Sequence, residues 1–211
     1  MSSKIIENLQ WRYATKKFDS SKKLSNEDFD ELLEVLRLAP SSYGLQPGKF
    51  IVVQDPKIRE ELRKHAWGQS QITDAHMLIV FCAKKDLTEK DIEDFVELTA
   101  NTRKIASDNL DDYKSMLIGA ISSKSNSDLI NWNKKQMYLA LGMLLATAAQ
   151  KKIDACPMEG FDNKKFDEVL GLDALGLESA VVCTLGYRAS DDKYAELGKV
   201  RIAKDKLFLF K

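Results

Sequence analysis

Histidine and cysteine are scarce in this sequence, and this limits the chemistry that its side chains can perform. Among 211 residues there are two histidines, His65 and His76, and three widely separated cysteines. No CxxC pair is present, and no cysteine and histidine have the spacing of zinc ligands. We therefore predict no metal site. A catalytic serine–histidine pair is also disfavoured, because both histidines fall on other elements than the Ser-Ser of residues 41–42.

Glycine-rich phosphate loops are missing as well. The 10 glycines form neither a GxGxxG motif after a strand nor a GxxxxGK[ST] motif. If a nucleotide binds to this chain, side chains rather than a backbone loop must hold its phosphate.

Neither an excess of charge nor a long apolar segment is present. The 32 Lys and Arg residues balance the 32 Asp and Glu residues, so we predict no nucleic-acid partner and no membrane partner. The start of the chain, MSSKIIENLQWRYATKK, lacks the hydrophobic core of a signal peptide, and no apolar run approaches the length of a membrane span. Cys82 and Cys183 lie within apolar runs and are expected to be buried thiols. A reducing, cytoplasmic location fits these features.

Apolar periodicity and capping residues predict both helices and strands. Ser25 with Asp28 and Thr88 with Asp91 resemble helix caps. We predict helices near residues 5–9, at 26–38, 56–65, 129–150 and 162–170, and another after Thr88. We predict strands at 49–54, 77–84 and 179–188, and a short strand and turn at 154–160. Because the strands do not alternate regularly with helices, we expect one α+β domain over residues 1–211.

Two apolar segments indicate an interface with a second copy of the chain. Residues 129–150 include YLALGMLLATAA and predict a helix that is apolar on all sides, which is typical of a buried or interface helix. The tail, residues 200–211, carries the apolar LFLF close to its end. We expect it to extend onto the partner subunit as an added strand, since soluble monomers rarely leave such patches exposed. A homodimer is therefore predicted.

Two pairs of basic residues near the ends of the chain are candidates for a phosphate site. Arg12 and Lys16 are four residues apart and would share a face on a helical turn. Lys199 and Arg201 are two apart and would point the same way on an extended segment. Together they could hold one phosphate, with arginine supplying paired contacts and lysine a point charge. The spacing alone favours ordinary surface charges, since the chain has 32 basic residues.

Two loops that contain glycine could face either solvent or a ligand. The sequence PSSYGLQP separates a helix from the strand FIVV, and polar loops of this kind are common in both settings. In PMEG, residues 157–160, the glycine would let the backbone approach a ligand, although an ordinary strand-to-helix turn has the same features. The residues by themselves leave both alternatives open.

Five segments, taken in order, resemble one family of flavoproteins. They are RYATKKFD, APSSYGLQPGKFIVV, WGQSQITDAHMLIVFCAK, ACPMEGFD and LGKVR, and they are spread over nearly the whole chain. On these segments the chain resembles the FMN-dependent nitroreductase family, which comprises oxygen-insensitive NAD(P)H nitroreductases and quinone reductases. Each segment alone is weak, whereas the five together are specific for the family but not for the substrate.

The resemblance implies a fold, an assembly and a reaction. The fold would be α+β, with a central mixed, mainly antiparallel sheet flanked by helices, and two chains would intertwine as a homodimer with an FMN in each of two interface clefts. The flavin would accept hydride from NADH or NADPH at N5 and pass it to a small-molecule acceptor, a nitroaromatic compound or a quinone. Donor and acceptor would use one cleft in turn, so ping-pong kinetics are expected. No protein side chain need act as a nucleophile or a general base.

The resemblance also assigns cofactor contacts to residues of this chain. The basic residues that match the family's phosphate and ring-edge ligands are Arg12, Lys16, Lys199 and Arg201. The residues that match its isoalloxazine, ribityl and pyrimidine contacts are Tyr13, Ala14, Gln69 and Gln71. The loop expected to come from the partner subunit and close over the flavin comprises Pro40, Ser41, Ser42, Tyr43 and Gly44. The turn expected along the ring, with a backbone N–H near N5 from one of its last two residues, comprises Pro157, Met158, Glu159 and Gly160.

The chain departs from many members of that family at several positions. It has Tyr13 and Ala14 where many have His or Ser, so these contacts would be made by a ring edge or the backbone. It has Gly48 where many have an aromatic residue, which is expected to loosen the packing at the start of the strand. It has Gln71 where one branch carries a lysine near the flavin, which affects the redox potential more than flavin binding.

Residues 100–127 resemble the variable helices over the family's active site, and they leave the acceptor open. The candidates for contact with the acceptor are Tyr113, Met116 and Leu117, for which ordinary packing is an equal alternative. Two other functions also stay open. One is a flavin-binding module or sensor without turnover, and the other is a different reductive flavin activity, such as dehalogenation or enoate reduction.

Overall fold

Helices and strands alternate irregularly along the chain in the computed structural model, which describes residues 3–211. The helices are α1 (Lys4–Trp11), α2 (Asn26–Arg37), α3 (Pro56–Lys64), α4 (Gln71–Asp74), α5 (Glu89–Arg103), α6 (Asp111–Ser122), α7 (Asn126–Gln150), α8 (Asn163–Leu170) and α9 (Lys204–Leu207). The strands are β1 (Gly48–Val52), β2 (Met77–Lys84), β3 (Asp154–Met158) and β4 (Leu177–Gly186). The predicted α+β fold is confirmed, and the predicted elements agree with the observed ones to within a few residues.

Short-range polar contacts determine where several helices begin and end. Ser25 Oγ accepts a hydrogen bond from the N–H of Asp28 at 3.0 Å, as its predicted capping role requires. At the start of α5, the side chains of Thr88 and Asp91 each accept from the other's backbone N–H, which completes a capping box. Gly171 ends α8 in the left-handed conformation, with a φ of 63°, which a residue without Cβ adopts at little cost.

Within residues 3–211, the strands form one sheet in the order β1-β2-β4-β3, and each neighbouring pair is antiparallel. β2 and β4 lie in the middle, where Met77 pairs with Leu185. Beyond β3, Ala14 makes an isolated parallel bridge to Ala155. The predicted sheet, mixed but mainly antiparallel, is therefore confirmed.

Helices cover both faces of the sheet, and this explains why β2 is a continuous apolar run. Successive side chains of a strand point to opposite faces. Ile79 and Phe81 pack in the cluster with α2 and α7, whereas Leu78 and Val80 pack in the cluster with α3 and α8. All four are fully buried, and burying a side chain of this kind contributes about 1.5–3 kcal/mol.

Gly48 begins β1 in a tightly packed position, so the expectation of loose packing there was wrong. A Cβ atom at this residue would lie 2.3 Å from the carbonyl oxygen of Cys82 and 2.6 Å from the sulfur of Met137. Protein interiors have no room for such an overlap, and a side chain here would push β1 away from β2 and α7. The glycine therefore allows these three elements to pack closely.

One side of α7 is exposed in the single chain, although the helix is apolar around its whole circumference. Met137 and Leu144 are buried in the core, whereas Leu139 is half exposed and Tyr138 is 40% exposed. The predicted buried or interface helix is thus buried along one side only.

No helix in residues 3–211 combines the length and the apolar composition that crossing a membrane requires.

The C-terminal tail differs from the predicted strand. Residues 204–207 form the short helix α9, and residues 208–211 have no regular structure. Leu209 and Phe210 are almost fully exposed. Since the tail joins no strand of the described part of its own chain, its pairing with a partner subunit stays a prediction.

Candidate active site

A cleft beside β3 brings together basic residues from both ends of the chain. It has a volume of about 420 Å³ and lies between the segment that follows α1 and the segment that precedes α9. Six predicted cofactor residues line it: Arg12, Tyr13, Ala14, Lys16, Lys199 and Arg201. We call this region the cationic cleft. The structure places the two basic pairs on opposite walls of one concave surface.

Arg12 and Lys16 reach the cationic cleft for a reason different from the predicted one. α1 ends at Trp11, and Arg12 is extended with a ψ of 142°, so the two side chains do not share a helical face. The backbone between them is held against β3 instead, where the N–H of Thr15 donates to the carbonyl of Ala155 at 3.4 Å. The expected helical turn was therefore wrong, although the two side chains do meet in one cleft.

The basic side chains of the cationic cleft lack ion-pair partners among the described residues, although the carboxylate of Asp192 accepts a hydrogen bond from the backbone N–H of Lys16. Within residues 3–211, these four basic side chains form no ion pair with a carboxylate. Burial and the charge of Arg201 lower the pKa of Arg12, and burial with the charges of Arg12 and Arg201 lowers the pKa of Lys199. Arg12 Nε is buried and has no hydrogen-bond partner in the described chain. Basic side chains without ion-pair partners, together with an unused donor, suit the binding of a phosphate group.

Arg188 supports the wall of the cleft that follows α1. The centre of its guanidinium lies 4.2 Å from the ring centroid of Trp11 and 4.5 Å from that of Tyr13. Its Nε donates to Asp154 Oδ1 at 2.8 Å. Sequence reasoning missed Arg188, because nothing in its spacing distinguishes it from the other basic residues.

The predicted site residues Gln69 and Gly160 are in direct contact. Gln69 Nε2 donates to the carbonyl of Gly160 at 2.8 Å. Trp67 lies against the same glycine, since a Cβ atom at residue 160 would be 2.4 Å from Trp67 Cζ3. Trp67 is 78% exposed and has a φ of 54°, which is a strained backbone for a bulky residue. Sequence reasoning missed Trp67, although it begins the segment WGQSQITDAH.

The turn after β3 is tied to α7. The phenol of Tyr138 donates a hydrogen bond to Glu159 Oε1, and burial together with this bond raises the pKa of Tyr138 to about 12. Pro157, Met158 and Glu159 line a shallow cleft of about 400 Å³ that faces α7. The carboxylate of Glu159 is therefore engaged by the protein.

Gln71 is separate from these clefts. It begins the short helix α4 and is only 6% exposed. Among the described residues it lines neither the cationic cleft nor the cleft that faces α7. A contact between Gln71 and a flavin stays a prediction.

The loop Pro40–Gly44 is held against α7, away from the cationic cleft of its own chain. The N–H of Ser42 donates to Gln136 Oε1 at 2.8 Å. Pro40 and Ser41 line a separate cleft of about 220 Å³ beside α7. The role predicted for this loop, covering the flavin of a partner subunit, therefore requires a second copy of the chain.

Helices α5 and α6 contact the same loop. The phenol of Tyr113 donates to the carbonyl of Tyr43 at 3.0 Å. Gly44 has a φ of 76°, and a Cβ atom there would lie 3.4 Å from the ring of Phe95. Phe95 of α5 and Tyr113 of α6 thus both support the loop, and Tyr113 belongs to the variable segment at residues 100–127.

The three candidates for contact with an acceptor have different exposures. Met116 is 44% exposed and Tyr113 is partly buried, whereas Leu117 is fully buried. Leu117 belongs to the apolar cluster between α5 and α6, so its side chain is not available to an acceptor in this structure. The burial of Leu117 agrees with ordinary packing, the equal alternative for this residue, and a contact between Leu117 and an acceptor stays a prediction.

Comparisons of the sequence with known proteins agree with one another. The model of the Nitroreductase family matches residues 9–187 of this chain. A protein of Staphylococcus epidermidis named "Putative NAD(P)H nitroreductase" is 36% identical over an alignment of 216 residues, gaps included. The alignment covers 97% of this chain and 96% of that protein. A protein of Staphylococcus aureus with the same name is 36% identical over 203 residues, with 90% and 89% covered.

Solved structures share the fold. A nitroreductase-like protein from Streptococcus mutans has a TM-score of 0.85 at 19% identity, with 98% of this chain and 97% of that chain covered. A protein from Exiguobacterium sibiricum, described as a "putative nitroreductase in complex with FMN", has a TM-score of 0.82 at 20% identity, with 100% and 99% covered. At these identities the similarity establishes the fold alone.

Proposed function

Because the chain belongs to the nitroreductase family, we propose that it is an FMN-dependent oxidoreductase that moves hydride from NADH or NADPH to nitroaromatic or quinone acceptors. The observation that carries this proposal is the cationic cleft. Its four basic side chains form no ion pair within residues 3–211, and the buried Arg12 Nε has no acceptor there. The FMN in the structure of the Exiguobacterium protein is a ligand of the matching chemistry.

The cationic cleft fits the phosphate end of FMN. Arg12 and Arg201 can each offer paired N–H donors to phosphate oxygens, and Lys16 and Lys199 add compact charges. Like charges that are partly buried together repel one another and destabilise the folded chain. A bound dianion would remove that repulsion, so FMN is expected to stabilise the protein against unfolding.

The neighbouring segments would hold the rest of the flavin. Tyr13 and Ala14 line the same cleft as the basic residues. Gln69 is held in one orientation by the carbonyls of Ala66 and Gly160, so it is prepared to line the ribityl chain without further loss of side-chain freedom. The turn at residues 157–160, fixed to α7 through Tyr138, would lie along the ring.

The cofactor and the protein would have different roles in the proposed reaction. Bound FMN would supply the hydride chemistry at its N5. The side chains of this protein bind and orient the ring, and none of them is required as a nucleophile. Because one cleft would serve both donor and acceptor, the two are expected to bind in turn, with ping-pong kinetics.

The proposal includes a homodimer, and exposed apolar surface supports it. α1 packs against α7, and together they expose Ile5, Ile6, Leu139 and Met143. Exposed apolar patches of this kind mark interaction surfaces. A second copy would cover the patch and bring its own loop Pro40–Gly44 towards the cationic cleft.

A reducing location, the cytoplasm, completes the proposal. Cys82, Cys156 and Cys183 are buried free thiols, as expected for the first and the last of them. Structural disulfides are typical of oxidising compartments. The unpaired cysteines therefore support a reducing setting.

The visible absorption of the purified protein, followed by anaerobic addition of NADH or NADPH, tests the proposed function. A flavin spectrum that bleaches with a nicotinamide and recovers with a nitrobenzene derivative or a quinone would support it. A flavin that stays oxidised with both nicotinamides would favour a binding module without turnover. A protein that neither carries FMN nor binds added FMN would overturn the proposal.

A further inference from the structure

Two adjacent acidic residues near the cationic cleft have opposite environments. Asp191 is exposed and pairs with Lys17, whereas Asp192 is buried, with 5% of its surface exposed. A buried carboxylate is costly unless a partner charge or hydrogen bonds compensate for the lost water. Asp192 forms no ion pair in the described chain, so hydrogen bonds alone must compensate its charge.

Four donors converge on the carboxylate of Asp192. Its Oδ2 accepts from the phenol of Tyr13 at 2.8 Å and from the N–H groups of Lys16 and Lys17 at 2.9 and 3.1 Å. Its Oδ1 accepts from the N–H of Tyr194 at 3.1 Å. Burial alone would raise the pKa of Asp192, but these hydrogen bonds outweigh it and hold the pKa below its ordinary value. The carboxylate is therefore ionised at neutral pH.

These hydrogen bonds join the two walls of the cationic cleft. Tyr13 and Lys16 belong to the wall that follows α1, and Tyr194 belongs to the wall that carries Arg201. Tyr13 and Asp192 are 179 positions apart in the sequence. Asp192 therefore bonds to the backbone of both walls, and it does so beside a second contact across the cleft, in which Lys199 Nζ donates to the carbonyl of Arg12.

The negative charge of Asp192 does not itself favour the binding of an anion in the cationic cleft. A carboxylate beside a cleft that binds an anion lowers the positive potential that attracts the anion. Any benefit of Asp192 to the site must therefore be geometric. It would lie in holding Lys16 and the opposite wall in place before the ligand arrives, which reduces the ordering cost of binding.

We propose that Asp192 is a positioning residue that sets the spacing of the two walls of the cationic cleft for the phosphate of FMN. The proposal rests on the proposed function, since it takes FMN as the ligand of this cleft. Its consequence is selective. Loss of the Asp192 carboxylate is expected to lower the affinity for FMN and not the affinity for riboflavin, which has the same ring and ribityl chain but no phosphate. A general role in folding would affect both flavins alike.

Asp192→Asn changes the hydrogen-bonding capacity of this residue while keeping its shape. An amide has one acceptor oxygen, so it cannot replace both carboxylate oxygens. Its NH₂ group would face N–H or O–H donors and could accept no hydrogen bond from them. Asp191→Asn is the matched control. It makes the same substitution at the exposed neighbour, whose partner is Lys17.

The experiment titrates the full chain, freed of bound flavin, with FMN and with riboflavin and follows the quenching of flavin fluorescence. Wild-type protein and Asp191→Asn are expected to prefer FMN. In Asp192→Asn the affinity for FMN should fall about tenfold, the usual effect of losing a charged hydrogen bond, while the affinity for riboflavin changes less than about twofold. If Asp192→Asn does not fold, Tyr13→Phe removes the phenol contact alone and should lower FMN affinity about threefold with the same selectivity.

The outcomes separate this proposal from the proposed function. A wild type that prefers FMN, with an Asp192→Asn variant that keeps the same preference, would reject the role of Asp192 and leave the flavin site standing. Equal weakening of both flavins in the variant would show a general structural role and also reject it. Equal affinity of the wild type for FMN and riboflavin would remove the phosphate site and with it the role of Asp192, while the proposed oxidoreductase would still be decided by the bleaching of its bound flavin.

Discussion

The phenol of Tyr113 donates a hydrogen bond to the backbone carbonyl of Tyr43, with 3.0 Å between the two oxygens. Tyr43 has a φ of 57°, and this left-handed conformation is unfavourable for a residue with a bulky side chain. The turn therefore depends on contacts that hold it. Tyr113 from α6 and Gln136 from α7 supply them, since Gln136 Oε1 accepts from the N–H of Ser42.

Tyr113→Phe is expected to loosen this turn. The variant leaves the Tyr43 carbonyl without the phenol, at a cost of about 1 kcal/mol, so amide hydrogen exchange at residues 42–46 should become about fivefold faster. Mass spectrometry of the exchanged peptide measures this change. Ser115→Ala, at an exposed position of the same helix, is the control. Unchanged exchange in Tyr113→Phe would show that the turn does not depend on this bond.

Lys16→Ala and Arg201→Ala are each expected to weaken FMN binding about tenfold to a hundredfold, because each removes a charged contact to the phosphate. The loss should be larger at low salt, where charges are screened less. Calorimetric titration with FMN measures the affinity. Lys17→Ala is the control, since Lys17 pairs with Asp191 and does not line the cleft. Full FMN occupancy in both variants would remove the idea of a shared phosphate site.

Light scattering of the flavin-bound protein is expected to give twice the chain mass of 23.9 kDa. Leu139→Lys should shift the protein towards the monomer and release flavin, because a charge on the exposed side of α7 would have to be buried in the interface. Leu98→Lys is the control at a leucine on α5 that is also more than half exposed, at 58%. A particle of one chain mass that retains flavin would reject the loop contributed by a partner.

Cys156→Ser is expected to keep turnover with a nitroaromatic acceptor. Burial raises the pKa of Cys156, which keeps it as an unreactive thiol. The hydroxyl is less suited to this buried place and should lower the free energy of unfolding by about 1 kcal/mol. Steady-state kinetics and urea unfolding measure the two effects. Lost turnover with flavin still bound would reveal a role for the thiol.

Alkaline pH is expected to destabilise the fold in part through Cys82. Burial raises the pKa of this thiol from 9.0 to about 12. Between these values the unfolded chain loses the thiol proton while the folded chain keeps it, so stability falls as pH rises. Urea unfolding from pH 8 to pH 10.5 should show a shallower decline in Cys82→Ala than in the wild type. Parallel declines would mean that Cys82 does not contribute.

Elements whose signals are local could be predicted from the sequence. Ser25 and Thr88 accept hydrogen bonds within their own helix turns, so the capping residue and its partner stand three positions apart and can be recognised. The strand at residues 77–84 was equally clear, because a strand covered on both faces is apolar at every position. These features depend on neighbours in sequence or on composition alone.

Features that depend on distant contacts could not be predicted in this way. Asp192 is buried because Tyr13 and two N–H groups from the other end of the chain reach it, and its sequence context is that of an ordinary surface acid. For Leu117 the sequence left acceptor contact and ordinary packing equally open, since the pattern of α6 does not show which face meets α5. Arg12 and Lys16 line one cleft although no helical turn joins them, because the segment that carries them lies along the edge of β3.

The pairing of β2 with β4 also constrains how the chain reaches its native state. The two central strands meet only after α5, α6, α7, β3 and α8 have been accommodated between them. Closing such a long loop delays the sheet relative to the helices, and folding through non-local strands is slow. Until β4 has been synthesised, the edge of β2 that does not pair with β1 remains uncovered. A chain truncated before Leu177 is therefore expected to aggregate, and the nascent protein should depend on chaperones until β4 has emerged.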